Sequence, residues 1–167
     1  DEAEFLSYFR GAAFFWLMRE DFVLQAVSLY KMVKTSVGHA PHADAATRAK
    51  ADAAFVYDGS GIAHWLNHNL VAERATAAMV ARHGLAPLRM SYEDITAAGA
   101  LATVNLMAGH IGIAPITLDR IESDHVKLGT DRNAEFAARF RSENADLVAA
   151  IEAERAPWLA DLRRIAG

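Results

Sequence analysis

The chain has 167 residues, 53% of them hydrophobic and 23% charged, and this size and balance predict one globular domain over residues 1–167. The net charge is −4 with scattered basic residues, and the uncharged stretch Gly11–Met18 is far shorter than the about 20 residues that cross a bilayer, so we expect no nucleic-acid partner and no membrane span. There is no cysteine, so any metal must bind to histidine and carboxylate, and the sequence shows no signal-peptide pattern, which favours a cytoplasmic location.

Apolar residues recur at helical spacing, and Gly, Pro and capping residues divide the chain into about six helices. Gly84 is predicted to end the third helix, Ser91 with Asp94 to begin the fourth, and Thr130 to begin the sixth. We therefore expect an all-α fold, a compact helical bundle. Its predicted helices are Glu2–Lys34, Asp44–Tyr57, Ile62–His83, Tyr92–Gly109, Ile116–Leu128 and Asp131–Arg155, with a short terminal one beginning at Pro157.

The long first helix is predicted to be apolar on every side between Gly11 and Met18. A helix without a polar face is buried all round. It is therefore either the central helix of the bundle or part of a subunit interface. The second alternative predicts a homo-oligomer, or a protein partner bound through this helix.

Four of the seven histidines are predicted to face the core. His64 and His68 are four residues apart, so they share one helical face, which continues through apolar residues such as Val71. His110 ends an apolar stripe on the fourth helix, and His125 lies on a similar stripe of the fifth. Buried imidazoles need partners for both ring nitrogens, and a shared metal ion supplies one.

Two carboxylates complete the predicted metal site. Glu122 and His125 form a Glu-x-x-His pair, the spacing found in di-iron carboxylate bundles. Glu20 lies on an otherwise apolar line of the first helix. The sequence thus predicts a helical bundle that binds iron, manganese or zinc through inward-facing histidines and leaves open whether it is an enzyme.

Two alternatives stay open at this point. The apolar first helix and the lack of a complete catalytic motif would suit a non-catalytic regulatory or assembly subunit. An aromatic-rich bundle could instead hold a small ligand, including a haem with His83 and Tyr30 as axial ligands. The sequence has no GxGxxG, Walker or GxSxG motif, and therefore gives no support to nucleotide binding or serine hydrolysis.

Overall fold

The structure is a computed structural model, and it describes residues 1–37, 44–118 and 129–165. These residues are mostly helical, which confirms the predicted helical class, but they also contain a short parallel sheet. None of the described helices is both long enough and apolar enough to span a membrane. In chain order the elements are α1 (Glu2–Ser7), β1 (Phe15–Met18), α2 (Phe22–Thr35), α3 (Ala45–Ala54), α4 (Gly59–Arg82), β2 (Leu88–Ser91), α5 (Tyr92–Ala98), α6 (Ala100–Ile111), α7 (Asp131–Glu143) and α8 (Ala145–Ala160).

The predicted long first helix is wrong, because its span contains α1, β1 and α2 in succession. Its most apolar part is a strand, in which Trp16 and Met18 are buried while Phe15 and Leu17 are exposed. This alternation has the two-residue period of a strand. Asp21 begins α2, where its carboxylate accepts a hydrogen bond from the Leu24 amide at 2.9 Å.

The capping residues were predicted better than the helix lengths. Gly84 has a φ of +59° just beyond α4, and the Ser91 hydroxyl accepts from the Asp94 amide at 3.1 Å at the start of α5. The predicted fourth helix is divided at Gly99, where φ is +82°, and the predicted sixth is divided at Asn144. Residues 113–118 are not helical, and the rest of the predicted fifth helix lies outside the described residues.

The described chain divides into two compact units. The first holds residues 1–18, 79–118 and 161–165, and its centre is the sheet of β1 and β2, paired in parallel from Phe15↔Leu88 to Met18↔Ser91. The guanidinium group of Arg89 lies 5.2 Å from the centre of the Trp16 ring and forms an ion pair with Asp161 at 2.7 Å. These contacts tie the residues that follow α8 to strand β2.

The second unit holds residues 19–37, 44–78 and 129–160, and helices α2, α3, most of α4, α7 and α8 surround its apolar core. Large side chains at helical spacing supply that core, because each helix presents one apolar stripe inward. Its central members, all nearly inaccessible to solvent, are Phe22, Val23, Ala26, Val27, Tyr30, Phe55, Ile62, Leu66, Ala137 and Phe140.

Candidate functional site

Of the predicted inward histidines, the three that the structure describes do not face a core. His64, His68 and His110 are exposed. His64 and His68 both lie edge-on to the ring of Trp65, and His110 lies edge-on to Phe15 with ring centres 5.3 Å apart. The alanine-rich α4 offers several apolar stripes, and the one with the bulkier side chains is the buried one. Its buried residues are Ile62, Leu66, Asn69 and Leu70.

The other predicted ligands do not restore a metal site. Glu20 is half-buried in the segment between β1 and α2, while Glu122 and His125 lie outside the described residues. Within residues 1–37, 44–118 and 129–165, no three His, Cys, Asp or Glu side chains form a group that could hold a metal ion.

A different arrangement stands out in the second unit, a groove between α2 and α3. Its cavity volume is about 500 Å³, which is within the usual range for small-ligand pockets. Two lysines and two threonines line it together with apolar side chains, and none of its described lining residues is acidic. We call it the lysine groove; its lining is Tyr30, Lys34, Thr35, Val37, Thr47, Lys50, Ala51, Ala54, Phe55 and Val56.

Helix α2 places Tyr30 and Lys34 four residues apart on one face of the lysine groove. The Lys34 ammonium lies 5.6 Å from the centre of the Tyr30 ring. The ring is fixed at its other end, because the Tyr30 hydroxyl donates to Asp58 Oδ2 at 2.9 Å. The groove therefore combines a held aromatic ring with positive charge.

Asp58 is an acceptor at the start of α4 as well as for Tyr30. Its Oδ1 accepts from the Ser60 hydroxyl at 2.7 Å and from the Gly61 amide at 3.1 Å. These donors, with the Tyr30 hydroxyl, lower the pKa of Asp58 to about 2. Burial and the neighbouring carboxylate raise the pKa of Tyr30, so its hydroxyl remains a donor at neutral pH.

A polar cluster joins α3 to α2 and α7 at the C-terminal end of α3. The Lys31 ammonium donates to Asp52 at 2.5 Å, to Asn133 Oδ1 at 3.1 Å and to the Thr130 hydroxyl at 3.2 Å. Thr130 in turn donates to Asp52 at 2.6 Å. Hydrogen bonds from Lys31 and Thr130 lower the pKa of Asp52. We call Lys31, Asp52, Thr130 and Asn133 the Lys31 cluster.

Sequence reasoning missed both features because their residues are far apart along the chain. Lys34 and Lys50 belong to different helices, and residue counting alone treats them as part of a scattered basic content. Packing of α3 beside α2 brings them to one groove.

The family of the chain follows from comparison with known proteins. Residues 1–143 match the family model described as Stf0 sulphotransferase, which covers most of the chain. The chain belongs to the Stf0 sulphotransferase family. No curated protein and no solved structure shows significant similarity to it.

Membership of this sulphotransferase family corrects the function predicted from the sequence. The metal-binding bundle with iron, manganese or zinc is wrong, because the family transfers sulfuryl groups and the described residues hold no metal-binding group. The regulatory-subunit and haem alternatives do not agree with the family either. The predicted cytoplasmic location, homo-oligomer and lack of a nucleic-acid partner stay predictions.

Proposed function

We propose that this chain acts in sulfuryl transfer from a nucleotide donor to a hydroxyl group. The observation that carries the proposal is the family match over residues 1–143. Sulphotransferases of this kind typically use 3′-phosphoadenosine 5′-phosphosulfate as the donor.

The reaction moves one group between two oxygens. The acceptor hydroxyl oxygen forms a bond to the sulfur of the donor, while the bond between that sulfur and the phosphate oxygen breaks. The acceptor proton is released, and the products are a sulfate ester and 3′-phosphoadenosine 5′-phosphate. Because the donor carries several negative charges, its binding site needs cations and hydrogen-bond donors.

The chemistry of the lysine groove supports the proposal that it binds this nucleotide. Lys34 and Lys50 supply two ammonium groups, and Thr47 supplies a hydroxyl. No acidic side chain among the described lining residues would repel phosphate. The apolar part of the lining, which includes the Phe55 ring, would suit a purine.

In this assignment the two lysines neutralise phosphate or sulfate oxygens and the Thr47 hydroxyl donates to them, while the Thr35 hydroxyl stays bound to the Lys31 carbonyl oxygen at 2.8 Å. The apolar wall excludes water from one face of the base, which strengthens the electrostatic attraction in the groove. The network from Asp58 through Tyr30 keeps the α2 wall in place. Each of these tasks belongs to a residue that already lines or supports the groove.

Calorimetric titration with 3′-phosphoadenosine 5′-phosphate tests the assignment. We expect Lys34→Met and Lys50→Met each to weaken binding about tenfold, since a hydrogen bond to a charged group is worth roughly 1.5–3 kcal/mol. Arg139→Met is the matched control, because it also removes one positive charge but lies outside the groove lining.

Two results would contradict the proposal at different levels. If neither the donor nor the product nucleotide binds the unchanged protein, the proposed function is wrong. If they bind, but Lys34→Met and Lys50→Met behave like Arg139→Met, the nucleotide occupies a site other than the lysine groove.

A further inference from the structure

The α3 wall of the lysine groove, which carries Lys50, is fixed mainly at its C-terminal end. Ala51 and Phe55 are buried there, while most of the earlier described side chains of the helix are exposed. Arg132 of α7 donates from Nη1 to the carbonyl oxygens of Asp52 and Phe55 at 2.6 and 3.1 Å. A cation at this end also complements the helix dipole.

The Lys31 cluster attaches the same end of α3 from the side of α2. The Lys31 side chain is largely buried, with 11% of it exposed, and its ammonium group has three hydrogen-bond partners. It is not part of the groove lining. Its charge is therefore directed to Asp52 rather than to a ligand in the groove.

A second contact attaches the Lys31 cluster to α2. The Asn133 side-chain amide donates to the Ser28 hydroxyl at 3.3 Å while its carbonyl oxygen accepts from Lys31. Asn133 is almost fully buried, with 2% of its surface exposed. Helix α7 thus bridges α2 and α3 just beside the point where the two helices form the groove.

We propose that Lys31 is a positioning residue for the lysine groove: through Asp52 it holds α3 so that Lys50 and Lys34 act together on one anionic ligand. This inference rests on the proposed binding of the donor nucleotide in the groove. It assigns to Lys31 an indirect role, although Lys31 is only three residues from Lys34 on the same helix.

Salt dependence of binding separates a positioning lysine from a contacting one. Removing a cation that contacts the ligand lowers the sensitivity of binding to salt, because fewer charge pairs remain to be screened. Removing a cation that only positions α3 leaves that sensitivity unchanged. We expect Lys31→Met to weaken binding of 3′-phosphoadenosine 5′-phosphate about tenfold with the salt dependence of the unchanged protein. Lys50→Met should weaken binding and flatten the salt dependence.

The variant Lys31→Arg keeps a cation beside Asp52 and should recover a large part of the lost affinity. Hydrogen exchange of the free protein supplies a measurement that needs no ligand. We expect Lys31→Met to speed exchange of the amides in α3 and to leave the amides of α8 as protected as before. Melting temperatures of all variants show whether each one folds.

The outcomes distinguish the inference from the proposed function. If α3 exchanges at its normal rate in Lys31→Met, or if this variant flattens the salt dependence as Lys50→Met does, the positioning role is wrong while the nucleotide site stands. If the unchanged protein binds no nucleotide, the proposed function fails, and with it the role of Lys31 in binding.

Discussion

Gly61 lies against the ring of Tyr30, so close that no other residue would fit without a shift. A Cβ atom at this position would be 2.4 Å from Cε2 and 2.7 Å from Cζ of Tyr30. Both atoms belong to a stiff, buried ring whose hydroxyl is bonded to Asp58. The ring cannot move aside without losing that bond.

We therefore expect Gly61→Ala to lower the free energy of unfolding by about 1–3 kcal/mol, the usual cost of overpacking. Gly109→Ala is the matched control, since Gly109 is also helical but a Cβ there meets no atom within 4 Å. The control should be neutral or gain up to about 1 kcal/mol from its higher helix propensity. Urea denaturation measures the free energy of unfolding of both variants. Equal values would show that the Tyr30 ring moves aside at no cost.

The sequence could not reveal this role of Gly61. From the chain alone, the third helix was predicted to begin at Ile62, whereas α4 begins three residues earlier, at Gly59. The reason for glycine is a ring 31 positions earlier in the chain, which only packing brings near. The prediction that His64 and His68 face the core was wrong for a related reason. The alanine-rich α4 has several apolar faces, and residue spacing alone selected one that is exposed.

At the scale of elements, helix ends were predictable and helix interruptions were not. Gly84, Ser91 and Thr130 act locally, through φ angles or side-chain acceptors, so their patterns are visible in the sequence. The segment Phe15–Met18 is apolar throughout and has no polar residue to mark its period. Pairing with the distant Leu88–Ser91 makes it a strand.

Helices α4 and α8 of the second unit are joined by a buried ion pair. Arg155, with 1% of its side chain exposed, donates to both carboxylate oxygens of Glu73 at 2.6 and 2.9 Å. It also donates to the carbonyl oxygen of Arg19 at 2.6 Å, and its guanidinium group lies 3.9 Å from the centre of the Phe22 ring. One side chain thus ties two helices to the segment that precedes α2.

Removing one partner of such a pair leaves a buried charge without compensation, which costs about 3–5 kcal/mol. We expect Glu73→Gln to lower the free energy of unfolding by about that amount. Glu154→Gln breaks the exposed pair with Arg74 in the same two helices and should have little effect. Urea denaturation compares the two variants, and a mild effect of Glu73→Gln would mean that Arg155 is satisfied by Arg19 and Phe22 alone.

At the scale of the whole molecule, the proposed function requires an anion to bind a chain whose net charge is −4. The net charge of the chain does not predict anion binding, since the local charge within a groove decides which ions gather there. The sequence-based exclusion of phosphate-rich partners considered only the concentration of basic residues along the chain. Lys34 and Lys50 are sixteen positions apart and contribute nothing to such a run, but they line one cavity.

If charge in this groove carries binding, the nucleotide should stabilise the fold in a salt-dependent way. A ligand that binds the native state at about 100 times its Kd adds about 2.7 kcal/mol to the free energy of unfolding, so 3′-phosphoadenosine 5′-phosphate should raise the melting temperature. The screening length falls from about 10 Å at 0.1 M salt to about 3 Å at 1 M. At a fixed nucleotide concentration the rise should therefore shrink markedly between these salt concentrations.

Adenosine is the control for this measurement, because it keeps the base and ribose and lacks the phosphates. Any rise in melting temperature that adenosine produces comes from the apolar wall of the groove and should change little with salt. The phosphate contribution is the difference between the two ligands. If the nucleotide raised the melting temperature equally at both salt concentrations, the lysines would not bind the phosphates. Salt screens the attraction between exposed ammonium groups and phosphates.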